Sequence, residues 1–143
     1  MDCIFCNIVN KKSDAEIIFE NENIVAFLDI RPINYGHTLV VSKKHYDNIL
    51  TVPADEIAEI MKVTQFIAGT VKRSVNADGF NVISNNGDPA GQTVYHFHFH
   101  IIPRFADDFT FKPRTKNYLP GAMNDFGNII RSVISKYKDI YNG

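Results

Sequence analysis

Cysteine is scarce in this chain. Cys3 and Cys6 are the only two among 143 residues. They stand too close together to staple a fold, which argues against the disulfide framework of a small secreted domain. An excess of charge of one sign is also missing. Fifteen Lys and Arg face sixteen Asp and Glu, a formal charge of −1, so no basic field points to nucleic acid or to an anionic membrane. No apolar run reaches membrane-spanning length. The N-terminus lacks a basic segment followed by an apolar one, so no secretory leader is expected. Internal repeats and low-complexity runs are absent. What remains is an ordinary globular balance, 45% hydrophobic and 22% charged, in a chain long enough to bury a sizeable core. The expectation is one soluble domain spanning 1–143, in the reducing environment of the cytoplasm.

Histidine is also infrequent, five in all, yet three of the five fall within Val94 to Arg104, VYHFHFHIIPR. His96, His98 and His100 alternate with Phe97, Phe99 and Ile101. In an extended strand alternate side chains share a face, so the imidazoles line one face and the apolar groups fill the other. At about 3.3 Å of rise per residue the outer two histidines stand roughly 13 Å apart. One metal ion cannot take all three without a sharp bend, so the row implies a division of labour. A single strand histidine is usually structural. Three on one face are hard to explain as packing, because each buried imidazole needs a partner.

The rest of the chain reads as a sheet with two helices. Ala15 to Glu20 and Asn23 to Asp29 are short strands joined by a tight turn around Glu22, a hairpin. Asp29, ahead of Pro32, either starts a turn or meets a ligand hydroxyl; residue type alone favours the turn. His37 to Val41 is a buried strand. Pro53, Asp55 and Glu56 open an amphipathic helix over Ala54 to Asn76, with Ile57, Ile60, Met61, Ile67, Val71 and Val75 on its core stripe. Phe80 to Ser84 is a fourth strand. The loop Asn85 to Thr93 carries turn formers, amide and hydroxyl donors and two glycines that permit close backbone approach to an anion. It feeds directly into the histidine strand. Phe105 to Pro120 has no period and reads as an irregular connection. From Asn124 a second stripe, Phe126, Ile129, Ile130, Val133, Ile134, Tyr137 and Tyr141, marks a C-terminal helix that packs on the core or on a partner.

Neutral imidazole offers one lone pair to phosphorus or metal and one N–H to donate, with a pKa near neutrality. It therefore serves as nucleophile and as acid. Zinc prefers four ligands of mixed Cys and His. Cys3, Cys6, His45 or His37, and His96 at the start of the row supply such a set, leaving His98 and His100 for a pocket. By itself Cys3-x-x-Cys6 fits a docked N-terminal turn of two small hydrophobes as well as a metal knuckle. A lone histidine such as His45 more often sits solvated on a surface. A redox dithiol is a third possibility for the cysteines.

The signature His96-x-His98-x-His100 followed by Ile101-Ile102 resembles the histidine triad superfamily. The resemblance extends to FLDI at Phe27 to Ile30, GHTLV at Gly36 to Val40, KKH at Lys43 to His45 and NNGDPAGQTVYH at Asn85 to His96. It implies an α+β fold: a five-stranded antiparallel sheet with one long helix, here joined by a C-terminal helix, the sheet continuing across a homodimer. It implies nucleotide binding and cleavage at the α-phosphate, with release of AMP from adenosine 5′-monophosphoryl conjugates of the phosphoramidate type. His98 corresponds to the nucleophile that forms a nucleotidyl-histidine, and His100 to a phosphate contact. Asn85, Gly91, Gln92 and Thr93 match positions around the phosphate and leaving group. Asp29 matches the acid that binds the ribose hydroxyls, and Phe27 and Ile30 match residues flanking the base. Cys3, Cys6, His45 and His96 correspond to a structural zinc set, with no catalytic metal required. The expected partners are a purine nucleotide and a second copy of the chain, with no nucleic acid and no membrane. Rival readings are diadenosine polyphosphate hydrolysis and a non-catalytic nucleotide-binding module. The C-terminal third matches no motif.

Overall fold

The computed structural model describes residues 3–108 and 113–141. The chain falls into two compact units, 1–108 and 109–143. The first is built on a five-stranded sheet: β1 (Ile17–Glu20), β2 (Ile24–Leu28), β3 (Thr38–Ser42), β4 (Gly79–Ile83) and β5 (His98–Arg104). Spatial order is β1-β2-β3-β5-β4, and every pairing is antiparallel. The fold is therefore the α+β arrangement expected from the sequence. Asn21 closes the β1–β2 turn, its Oδ1 accepting from the amides of Asn23 and Ile24 at 2.9 and 2.8 Å.

Alternation along the strands sorts the core into two layers. Ile24, Ala26, Val40, Phe99 and Ile101 face one side, where α2 (Ala54–Ser74) covers them with Ile60, Ile67, Ala68 and Val71. Val25, Phe27, Leu39 and Val41 face the other, against Phe5 and Ile8 of α1 (Ile4–Val9). With both faces covered, every residue of β3 is buried. Register puts Val41 opposite His98 and Leu39 opposite His100. The histidines thus project to the α1 side, away from the long helix.

Helix α2 starts after Pro53 and carries Asp55 and Glu56 in its first turn and Lys72 and Arg73 in its last, charges that suit its dipole. It stops at Ser74, two residues short of the expected end. Asn76 adopts a left-handed φ of 53°. The Asn76 amide bonds to Arg73 O at 3.3 Å and the Ala77 amide to Lys72 O at 2.9 Å, a Schellman closure.

Two expectations need correction. The histidine strand begins at His98, not Val94: the Phe97 amide donates to Tyr46 O at 2.6 Å, and that non-sheet bond keeps residues 94–97 out of the ladder. Cys3 to Val9 is not merely a docked turn or knuckle. Cys3 caps a helical run, its Sγ accepting from the Cys6 amide at 3.4 Å.

In the second unit, residues 113–119 are irregular, as expected, while 109–112 lie outside the described residues. Helix α3 (Ala122–Tyr141) starts two residues before Asn124. Phe126, Ile129, Ile130, Val133, Ile134 and Tyr137 on its stripe are exposed; the side chain of Tyr141 is outside the described set. Among the described residues no helix is long and apolar enough to cross a membrane.

Candidate functional site

Three histidine rings and two backbone groups form one chain of hydrogen bonds on the α1 side of the sheet. The Ile33 amide donates to His37 Nδ1 at 3.1 Å. Neutral His37 must then carry its proton on Nε2, which faces His100 Nδ1 at 2.9 Å. His100 Nδ1 accepts, so its proton lies on Nε2, which faces His98 Nε2 at 3.2 Å. At the far end His98 Nδ1 lies 2.6 Å from the His96 carbonyl. A carbonyl only accepts, so His98 carries Nδ1–H and a lone pair on Nε2. The two ends of the chain independently demand the same tautomer at His100.

Electrostatics hold the chain neutral. Burial is the main cause in each ring. It pushes His100 down to about 4, helped by His98 and His37 and opposed by Asp29. Burial also lowers His98, against its bond to the His96 carbonyl, and lowers His37, against the Asp29 carboxylate. Asp29 Oδ2 stands 3.6 Å from His37 Nε2, while Oδ1 accepts from the Arg31 amide at 2.8 Å. The turn reading of Asp29 therefore holds for one oxygen, and the other faces the histidines.

His98 and His100 open into a cavity of about 300 Å³. Phe27, Asp29 and Ile30 at the end of β2 line it, together with Leu39 and Thr93. Another wall is α1, through Ile4, Phe5 and Ile8, and Asp14, Ala15, Leu28 and Val94 complete the lining. A mostly apolar hollow with a few convergent polar groups at one end suits a flat apolar ring attached to a polar group.

Asn85, Gly91 and Gln92 lie in the loop that leads to Thr93 and are not among the residues that line this cavity. Gly87 and Gly91 bracket the turn at Asp88–Ala90 with φ of 90° and 87°, conformations that favour glycine. A Cβ built on Gly91 would sit 3.9 Å from the Asn85 side chain. Gln92 is buried and staples the loop: Oε1 accepts from the Gly87 amide at 2.8 Å, and Nε2 donates to Asp47 O at 2.6 Å and Val94 O at 3.2 Å. The Tyr95 hydroxyl donates to the Asp88 carboxylate.

A second cluster lies behind α1. Cys3, Cys6, His45 and His96 bring two sulfur and two nitrogen atoms within 4.8 Å of one another. His96 Nε2 lies 2.7 Å from the Ser42 carbonyl, so its proton is there and its Nδ1 lone pair faces Cys3 Sγ at 3.3 Å and Cys6 Sγ at 3.5 Å. His45 Nδ1 faces Cys6 Sγ at 3.3 Å, while its Nε2 donates to Asp47 Oδ1 at 3.1 Å. Each imidazole thus turns a lone pair inward and fixes its other nitrogen on an oxygen, the support that zinc-binding histidines commonly receive. The donor set suits zinc. His37, the alternative to His45 in this set, lies with His100 and Asp29 instead.

Residues 10–107 match the model of the HIT domain. The chain belongs to the HIT domain family. An uncharacterized HIT-like protein of Methanocaldococcus jannaschii is 47% identical over 106 residues, 74% of this chain and 81% of that protein. The adenylylsulfatase HINT3 of Arabidopsis thaliana is 34% identical over 107 residues, 75% of this chain and 54% of HINT3. Among solved structures, a zinc-bound histidine triad family protein from Mycobacterium smegmatis superposes with a TM-score of 0.74 at 34% identity, covering 98% of each chain.

Sequence reasoning offered His37 only as a metal ligand and missed its place beside His100, and it missed Ile4, Phe5 and Ile8. His37 shares the odd-numbered face with Leu39 and Val41, but the β3–β5 register was needed to set it beside His100. Ile4, Phe5 and Ile8 do carry helical spacing, over a run too short to read.

Proposed function

We propose that this protein binds a purine nucleotide and cleaves adenosine 5′-monophosphoryl conjugates, phosphoramidates above all, at the α-phosphate, with release of AMP. The observation that carries the reading is the tautomer chain from Ile33 to His96: it leaves His98 Nε2 unprotonated, its lone pair accepting from the Nε2–H of its neighbour His100. A nucleophile and a donor at one polar end of an apolar hollow match attack on a phosphoryl group. The relationship to an adenylylsulfatase supports the adenosine 5′-monophosphoryl class.

In this mechanism the base lies between Phe27, Ile30 and the α1 wall, with the ribose hydroxyls at Asp29. The α-phosphate enters at His98 and takes over the hydrogen bond that His100 otherwise gives to His98. The bond from His98 Nε2 to phosphorus forms as the bond to the leaving group breaks. The departing group takes its proton from solvent, while neutral His100 keeps its Nε2–H and holds the phosphate through it. Water then cleaves the nucleotidyl-histidine, its oxygen bonding to phosphorus as the bond to His98 Nε2 breaks and its proton returning to solvent. Thr93 and the Asn85–Gln92 backbone flank the phosphate, and Gln92 keeps that loop in shape. The Nδ1–H bond to the His96 carbonyl holds His98 in its attacking tautomer and spreads the positive charge it gains.

Zinc at Cys3, Cys6, His45 and His96 would have four protein ligands and no open position, a structural role. The homodimer fits the edge of the sheet. β4 ends the strand order, and its exposed Phe80 and Val82 form an apolar groove with Met61 of α2. An unpaired apolar edge favours pairing with a second copy; Val82→Lys is expected to shift sedimentation toward monomer.

The function is tested by measuring AMP release from adenosine phosphoramidate and from diadenosine polyphosphate. Faster turnover of the phosphoramidate, abolished in His98→Ala while AMP still binds, is expected. Unchanged turnover in His98→Ala would overturn the catalytic reading, and preference for the dinucleotide would overturn the substrate assignment.

A further inference from the structure

Helix α1 belongs to two sites at once. Cys3 at its cap and Cys6 in its first turn supply both sulfur atoms of the four-ligand cluster. Ile4, Phe5 and Ile8 form one wall of the cavity that holds His98 and His100. Its six residues are too few to persist as an isolated helix. Its place therefore depends on what its cap and faces touch.

Phe5 is the pivot. It is buried against Val25, Phe27, Leu39 and Val41. Its ring stands edge-on to His98 with centroids 5.0 Å apart and an interplanar angle of 87°, 5.9 Å from His96, and 5.5 Å from Phe27. One side chain thus touches a ligand of the sulfur–nitrogen cluster, the histidine facing the cavity, and the cavity wall. His45, on the exposed stretch after β3, and His96, just before β5, sit at the far side of the same cluster.

We propose that metal binding at Cys3, Cys6, His45 and His96 and nucleotide binding in the cavity are coupled through α1, with Phe5 as the positioning residue that transmits the coupling. The inference rests on the nucleotide reading above and adds metal dependence to it. A metal bonded to the first turn of α1, to the start of the histidine segment and to residue 45 ties the helix to the sheet. A nucleotide then meets a wall already ordered, and the cost of ordering it is not charged to ligand binding. The reverse holds with equal strength: a ligand packed on Ile4, Phe5 and Ile8 holds Cys3 and Cys6 where the metal needs them. Equilibrium coupling is reciprocal by necessity.

The test uses the full chain. AMP is titrated calorimetrically into zinc-loaded and chelator-stripped protein, and zinc retention by the loaded protein is measured in chelator competition with and without AMP. Zinc is expected to tighten AMP binding about tenfold, and AMP to tighten zinc binding by the same factor. Phe5→Ala is expected to take up zinc at the wild-type stoichiometry while that factor falls toward one. Phe5→Leu, which keeps an apolar group of similar size, retains part of it. Equal AMP affinity with and without zinc overturns the coupling, as does a factor undiminished in Phe5→Ala. The competition arm starts from loaded protein, so it decides the matter even if the stripped protein does not fold. Absence of AMP binding to either form overturns the nucleotide reading instead.

Discussion

Replacing His37 by leucine removes the one protein donor to His100 Nδ1 among the described residues. His37 is only 3% exposed, so water does not simply fill its place. Two bonds go: the 2.9 Å contact to His100 and the 3.1 Å contact from the Ile33 amide. Leaving a buried donor or acceptor unpaired costs about 1–3 kcal/mol. The larger effect falls on tautomers. Freed of His37, His100 can move its proton to Nδ1, and its Nε2 then presents a lone pair to the lone pair of His98, 3.2 Å away. The donor meant for the phosphate is lost in that form. If the 1–3 kcal/mol appears in the transition state, kcat/KM for AMP release falls roughly 5- to 150-fold. His37→Gln keeps an N–H donor and recovers part of the loss. The assay pairs AMP-release kinetics with ¹⁵N chemical shifts of the His100 ring, which report its tautomer directly. A His37→Leu protein with unchanged kcat/KM and an unchanged His100 tautomer would refute the reasoning, because the His98 end alone would then be setting the proton and the bond from His37 would add nothing.

Three further outcomes follow from the same geometry. Gln92→Ala removes three loop bonds and is expected to cost about 1–3 kcal/mol of stability and to slow AMP release, measured by thermal unfolding and kinetics; an unchanged melting point would contradict the staple. Burial holds His100 at about 4, below its ordinary 6.5, so between those values the unfolded chain binds a proton that the folded chain does not. Stability is then greatest above about pH 6.5 and is lost as pH falls toward 4; urea midpoints of metal-stripped protein that stay level between pH 7 and 5 would contradict this. Zinc quantitation is expected to show stoichiometric metal that Cys3→Ser loses, whereas a metal-free wild type with a titratable dithiol would favour a redox role.

Periodicity alone located the sheet and α2, because a half-buried strand and an amphipathic helix write their faces into the sequence at periods of 2 and 3.6. The hairpin turn at Asn21 and the stop near Asn76 were legible from residue type. His98 and His100 were legible because their alternation with Phe97, Phe99 and Ile101 matches the observed division of faces. Other features depend on contacts between distant segments. That His37 meets His100 is set by strand register, which alternation within one strand does not encode. That His96 leaves the ladder follows from the bond between Phe97 and Tyr46, partners 51 positions apart in the chain. That Gln92 ties its loop together, and that Ile4, Phe5 and Ile8 wall the cavity, follows from tertiary packing of segments too short to show a period.

Both the chemistry and the placement of the proton chain converge on His98 Nε2. The direct test is rapid quenching of the protein during turnover of an adenosine phosphoramidate, followed by mass mapping of the trapped chain. The expected result is one adenylyl group on His98, absent from His98→Ala and enriched when water attack is slowed. A chain that releases AMP at full rate yet never carries the adduct, or carries it on another residue, would contradict the account.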